Sequence, residues 1–239
     1  MREIFNRTQD SDSIDIEVDI DVEDFEGSNP WLFSVFVKSA NISENSDSFD
    51  EFLETKESLI IALEHENKSK YVGTRVSDGW HEFYFYAKNS KNLESVVAQM
   101  LKDSGYKYEC SVVKDAKWDF YSKNLFPTEL EFHNIESDKI IFLLEEEGDE
   151  LSTPRDVEHY ISFDTATQKE RFVQNALICG FEFKDDISSE EFEHGVALIK
   201  KHSVTNKDVR KVVEELYELV KKEHGYYEGW STVLVSSDD

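Results

Sequence analysis

Twice along this chain the apolar residues switch their spacing from two to about 3.6 and back in the same order. Few architectures accept that order twice. In the first half, Ile14, Ile16, Val18, Ile20 and Val22 alternate with acidic residues, which predicts a strand with one buried and one charged face. The Gly27-Ser28-Asn29-Pro30 turn leads to a second strand, Trp31 to Val37, expected to form a hairpin with the first. A polar stretch from Ser39 to Ser48 precedes a helix over roughly Phe49 to Glu66, with Leu59, Ile60 and Leu63 on one face. Tyr71 to Val76 and Trp80 to Ala87 are strands joined by Ser77-Asp78-Gly79, a strong hairpin signal. Ser90 is the expected cap of the next helix, whose stripe is Leu93, Val96, Val97, Met100 and Leu101 and whose stop is Gly105. Tyr106 to Val113 returns as a strand.

Trp118, Phe120, Tyr121, Leu125 and Phe126 then crowd before Pro127 and are expected to pack between helix and sheet. Thr128 and Glu131 have capping-box spacing, so a further helix runs to the acidic loop Glu145-Glu146-Glu147-Gly148-Asp149-Glu150. That loop, with Pro154 close behind, is the expected domain boundary, giving domains 1–148 and 149–239. Beyond it the order recurs. Val157 to Phe163 is a strand, and Thr165 with Gln168 opens a helix carrying Phe172, Val173, Ala176 and Leu177 and ending at Gly180. Phe181 to Lys184 is a short strand and Phe192 to Val204 a longer one, with Gly195 as a bulge. Thr205 and Asp208 open a helix with Val209, Val212, Val213, Leu216, Leu219 and Val220 on one face; Lys221 and Lys222 suit its negative end, and Gly225 stops it. Tyr226 to Val235 closes the chain's last sheet. The expected fold class is α+β: two α/β sandwich domains of ferredoxin-like βαββαβ order, with an extra leading strand in the first.

Charge narrows the function. The 239 residues include 52 acidic and 26 basic side chains, a net charge of -26. Seventeen Phe, 10 Tyr and 4 Trp indicate a folded, aromatic-rich chain despite that charge. A field this negative repels nucleic acid and anionic lipid, and attracts basic protein surfaces. No direct nucleic-acid partner and no membrane are therefore expected; a basic protein is. Cys110 and Cys179 are isolated and read as small core residues, not as a disulfide framework or metal cluster. The first 21 residues show no apolar leader core, and no apolar run approaches the ~20 residues of a membrane span. A cytoplasmic compartment is expected, so the sequons at Asn6, Asn41 and Asn67 carry no meaning.

Reactive constellations are scarce. The 9 Gly include no phosphate-binding loop, and neither a HExxH helix nor a GxSxG elbow occurs. No catalytic, cofactor or metal residues are expected. His159, His194 and His202 would make a ligand or hydrolytic site with Glu158 only if the sheet gathered them, and alternation sends Glu158 and His159 to opposite faces. The run Glu145 to Glu150 lacks calcium-loop spacing and reads as a solvated linker. Asp15, Glu17, Asp19 and Asp21 line one strand face, readable as a docking stripe or, better, as a solvated face that discourages edge pairing. Tyr226-Tyr227-Glu228-Gly229-Trp230 is readable as an interface anchor or, better, as a closing strand packed on the helices.

Two segments carry a family resemblance. Pro154-Arg155-Asp156-Val157-Glu158-His159-Tyr160-Ile161-Ser162-Phe163 and Tyr226-Tyr227-Glu228-Gly229-Trp230-Ser231-Thr232 resemble the opening and closing strands of the regulator of ribonuclease E activity B family, with Glu228 where that family has Asp. The resemblance spans about Asp149 to Val235. Thr74-Arg75, the Asp78-Gly79 hairpin, Phe83-Tyr84-Phe85-Tyr86 and Trp118-Asp119-Phe120-Tyr121 before Phe126-Pro127 resemble the bacterial domain of unknown function 695. Together these imply a non-catalytic protein inhibitor of ribonuclease E or a related nuclease. Arg155, Glu158, His159, Phe163, Tyr227, Gly229 and Trp230 are the motif and candidate protein-binding residues. A small-ligand or hydrolytic domain and a purely structural fusion are the alternatives.

Overall fold

The computed structural model describes residues 1–9, 12–22, 25, 27–38, 47–189 and 192–236. It resolves into two compact units, Met1–Phe126 and Pro127–Asp239. The chain therefore divides before the helix that leads to the acidic loop, not at the loop itself.

The first unit holds β1 (Arg2–Gln9), β2 (Asp12–Asp19), β3 (Trp31–Lys38), α1 (Asp47–Glu64), β4 (Ser69–Ser77), β5 (Trp80–Ala87), α2 (Leu93–Met100) and β6 (Lys107–Lys114). Its sheet runs β1-β2-β4-β5-β3-β6, and every pairing is antiparallel. The segment β3 to β6 is thus the ferredoxin-like unit, and two leading strands, not one, extend it beyond β4. β1 escaped the sequence pattern because it contributes only Ile4 and Phe5, and Ile4 is exposed. The expected hairpin of β2 with β3 does not form; β2 pairs β1 and β4, while β3 lies between β5 and β6. The reason is burial. β3 is apolar on both faces and needs a central place, whereas the charged face of β2 suits a position nearer the edge.

Phe33, Val35, Val37, Phe83 and Phe85 meet Leu59, Ile60 and Leu63 of α1 and Leu93 and Val97 of α2 in one core. The Trp118 to Phe126 segment is not in that core. It covers the opposite face, where Trp118 stacks on Tyr86 with ring centroids 4.0 Å apart and its indole N–H donates to the Asn29 carbonyl at 3.0 Å. The next helix start also differs from expectation. Asn92 in the left-handed region (φ 65), not Ser90, precedes α2, because Asn89 Oδ1 already accepts from the Lys91 amide and turns the chain. The polar stretch from Ser39 lies, as far as residue 46, outside the described residues.

The second unit holds α3 (Glu129–Glu146), β7 (Arg155–Phe163), α4 (Ala166–Ile178), β8 (Glu182–Ile187), β9 (His194–His202), α5 (Asn206–Lys222) and β10 (Tyr226–Thr232). Its antiparallel sheet runs β10-β7-β9-β8, the ferredoxin-like order, with α3 added in front. Thr128 and Glu131 form the capping box of α3; Thr165 and Thr205 cap α4 and α5. Val209, Val212, Val213, Leu216 and Val220 of α5 are buried against Val157, Ile161, Val196 and Leu198. Ile141 of α3 joins the same core, which is why that helix belongs here.

Two glycine assignments change. Gly195 sits in regular pairing with Ser162, and the bulges fall instead at Lys184 in β8 and Glu228 in β10. After α5 it is His224, with φ 56, that takes the left-handed position. Gly225 is needed for space, since a Cβ there would stand 2.3 Å from the Phe163 ring.

Candidate functional site

Of the seven motif residues, five are buried side chains of the second unit: Arg155, His159, Phe163, Tyr227 and Trp230. Alternation along β7 explains it. Residues 155, 157, 159, 161 and 163 face the helices, while Glu158 faces away and reaches Lys184 of β8 and the Tyr160 hydroxyl.

Arg155 is a clamp. Its guanidinium donates to both oxygens of Asp149, at 2.7 Å for the Nη2–Oδ1 contact, and to the carbonyls of Glu150 and Val233 at 2.6 and 3.1 Å. The side chain of Asp149 is fully buried and also accepts from the Val235 amide at 2.8 Å. Burial pushes its pKa up, but Arg155 and that amide outweigh burial and hold it below the usual carboxylate value. The acidic run is therefore not a free linker at this end.

His159 is completely buried and both ring nitrogens are engaged. Nδ1 lies 2.8 Å from the Tyr227 hydroxyl and Nε2 lies 3.3 Å from Nε2 of His202. The proton positions follow from the last partner. His202 Nδ1 sits 2.7 Å from the Ser203 carbonyl, which can only accept, so the proton is there and His202 Nε2 is bare. His159 must then donate from Nε2, and its Nδ1 must accept from the Tyr227 O–H. One directed chain results: Tyr227 to His159 to His202 to Ser203. Burial first, and the neighbouring His202 and Lys200 second, push the His159 pKa down to about 3. Burial lowers that of His202 and raises that of Tyr227. All three are neutral near pH 7. Within this chain the lone pair of each imidazole is taken up by a hydrogen bond.

The remaining motif residues are structural in the same sense. Trp230 donates from its indole N–H to Ser137 Oγ of α3 at 2.9 Å, and Ser137 donates onward to the His133 carbonyl at 2.7 Å. Gly229 has φ 126, a conformation open to glycine, directly after the bulge at Glu228. Phe163 packs on Phe172 at 5.1 Å. The sheet brings His159 and His202 together but leaves His194 at the other end of β9, in a cleft of about 340 Å³ with Asp164, Glu193 and Glu228. The expected gathering of His159, His194 and His202 with Glu158 does not form. Among the described residues no group of three or more His, Cys, Asp or Glu is placed to hold a metal ion. Asp149 and Ser137 were missed at the sequence level. Asp149 is one acid in a run of them, and Ser137 is a polar residue inside a helix with a weak apolar stripe, so neither carried a signal.

In the first unit two acids of the stripe on β2, Glu17 and Asp19, are paired with bases, while Asp15 is exposed and accepts from the Asn6 side-chain amide. Glu17 takes Lys56 at 2.6 Å and the Tyr71 hydroxyl at 2.9 Å, and Asp19 takes Lys70 at 2.9 Å. At Glu17 and Asp19 the stripe is therefore closed. Among the described residues no helix is long and apolar enough to cross a membrane.

The fold and its closed polar networks define a protein of two ferredoxin-like α+β units whose motif residues hold the scaffold together. Residues 7–126, half of the chain, match the Family of unknown function (DUF695), and the chain belongs to that family. Residues 134–232 match a second family, Regulator of ribonuclease activity B. That match includes most of α3, in agreement with the division before Pro127. No curated protein matches the chain. A solved structure described as an unknown protein from Galdieria sulphuraria is similar at 10% identity, over 86% of this chain and 99% of that one, with a TM-score of 0.22.

Proposed function

We propose that the chain is a non-catalytic protein regulator of a ribonuclease, restraining an enzyme of the ribonuclease E kind by binding a cationic part of it in the cytoplasm. The match of residues 134–232 to Regulator of ribonuclease activity B carries this reading. Two observations support it. The two imidazoles of the motif sheet, His159 and His202, are locked in a neutral hydrogen-bond chain. The net charge of -26 gives long-range attraction to a basic surface. The inhibitor acts by occupying the nuclease's own cationic binding surface, without turnover.

The test is cleavage of a fluorogenic RNA by purified ribonuclease E with increasing amounts of the full chain. The expected result is a saturable fall in rate near stoichiometry that weakens as salt rises, since the attraction is screened. An unchanged rate at a large excess of the chain in low salt would sink the reading, as would RNA cleavage by the chain alone.

A further inference from the structure

Each unit ends in open sheet edges, and their charges differ. The edges of the first sheet are β1, with Arg2 and Arg7 against Glu3, and β6, with Lys107 and Lys114 against Glu109. In the second unit β10 carries one acid, Glu228, which already accepts from Ser162. β8 is different. It holds Glu182, Asp185 and Asp186, and its one base, Lys184, is turned onto Glu158. Asp186 pairs Lys169 of α4, while the side chains of Glu182 and Asp185 are exposed with no hydrogen bond or ion pair among the described residues.

Acids on an edge strand can serve simply to prevent pairing with another copy of the chain. That role leaves the neighbouring apolar residues unexplained. The chain from the last turn of α4 into β8 exposes Leu177, Ile178 and Phe183, with Ile178 84% accessible. Exposed apolar residues flanked by unpaired carboxylates, on a strand at the edge of its sheet among the described residues, match an extended segment that alternates cationic and apolar side chains. A second copy is disfavoured, because β8 against β8 would set carboxylates against each other.

We propose that β8 and the end of α4 are the docking edge of the second unit, and that the occupant is a basic, extended segment of a partner protein added as a fifth strand. The partner's class rests on the ribonuclease-regulator reading; the surface rests on the geometry of β8.

The probe is a synthetic octapeptide of alternating arginine and valine, titrated into the isotope-labelled full chain, with a glutamate–valine octapeptide as control. Amide shifts are expected to concentrate between residues 177 and 187 for the arginine peptide alone. The neutral pair Glu182→Gln/Asp185→Asn and the single change Ile178→Asp should each weaken binding at least tenfold; thermal unfolding checks that the variants fold. Shifts centred elsewhere, equal binding of the control peptide, unchanged affinity in folded variants, or self-association through β8 would each overturn the proposal. Ribonuclease inhibition measured on the same proteins separates the two ideas. Peptide docking at β8 without inhibition sinks the regulator reading alone, and inhibition with shifts elsewhere sinks the docking edge alone.

Discussion

Arg155 shows how much one side chain organises. A buried, bidentate pair with Asp149 is costly to break from one side, because the other charge is left without water or counter-ion. Arg155→Ala is expected to destabilise the second unit by about 3–5 kcal/mol, read from urea unfolding. The neighbouring imidazole sets a pH dependence. The His159 pKa, about 3, lies below its ordinary value of 6.5, so as pH falls the unfolded chain takes up the proton first. Its contribution to stability is complete above pH 6.5 and is lost progressively between 6.5 and about 3. A His159→Gln variant lacks that slope, so the stability gap between it and the parent protein should change across this window and be flat above it. Tyr227→Phe removes the donor to His159 Nδ1 and should cost roughly 1–3 kcal/mol by the same measurement.

At the scale of elements, most of the pattern was legible because the helices and strands such as β2 and β7 alternate a buried with a less buried face. The stripe of α5, the capping threonines and the Asp78-Gly79 hairpin, whose two turn residues have φ 49 and 71, were all visible as spacing. What spacing does not reveal is which strand neighbours which. Whether β2 meets β3 depends on burial of both faces of β3, a property of the assembled sheet. Glycines mislead for a related reason, since the same residue serves conformation or space. Gly225 serves space, and Gly225→Ala should destabilise by about 1–3 kcal/mol through the contact with Phe163. Tyr227 and Trp230 were read as packed on the helices, as they are, but the roles of Arg155 and His159 were not found. Nothing in Arg-Asp-Val-Glu-His tells a core hydrogen-bond chain from an exposed docking face until the partners of His159 are known.

At the scale of the whole molecule the division of the chain is the least legible feature. Acid run and proline suggested a linker, yet α3 on the near side of it closes the second core through Ile141 and the Trp230–Ser137 bond. A fragment of residues 127–239 should unfold cooperatively with a buried tryptophan spectrum, whereas residues 149–239 alone should show red-shifted Trp230 emission and no sharp transition. The Asp149 clamp has a bearing on synthesis as well. Its carboxylate waits for the Val235 amide, 86 positions later in the chain. A ribosome at ordinary speed takes several seconds to cover that distance. The acid and its arginine are made long before that last tether, so this unit ripens only after nearly all of it has been translated.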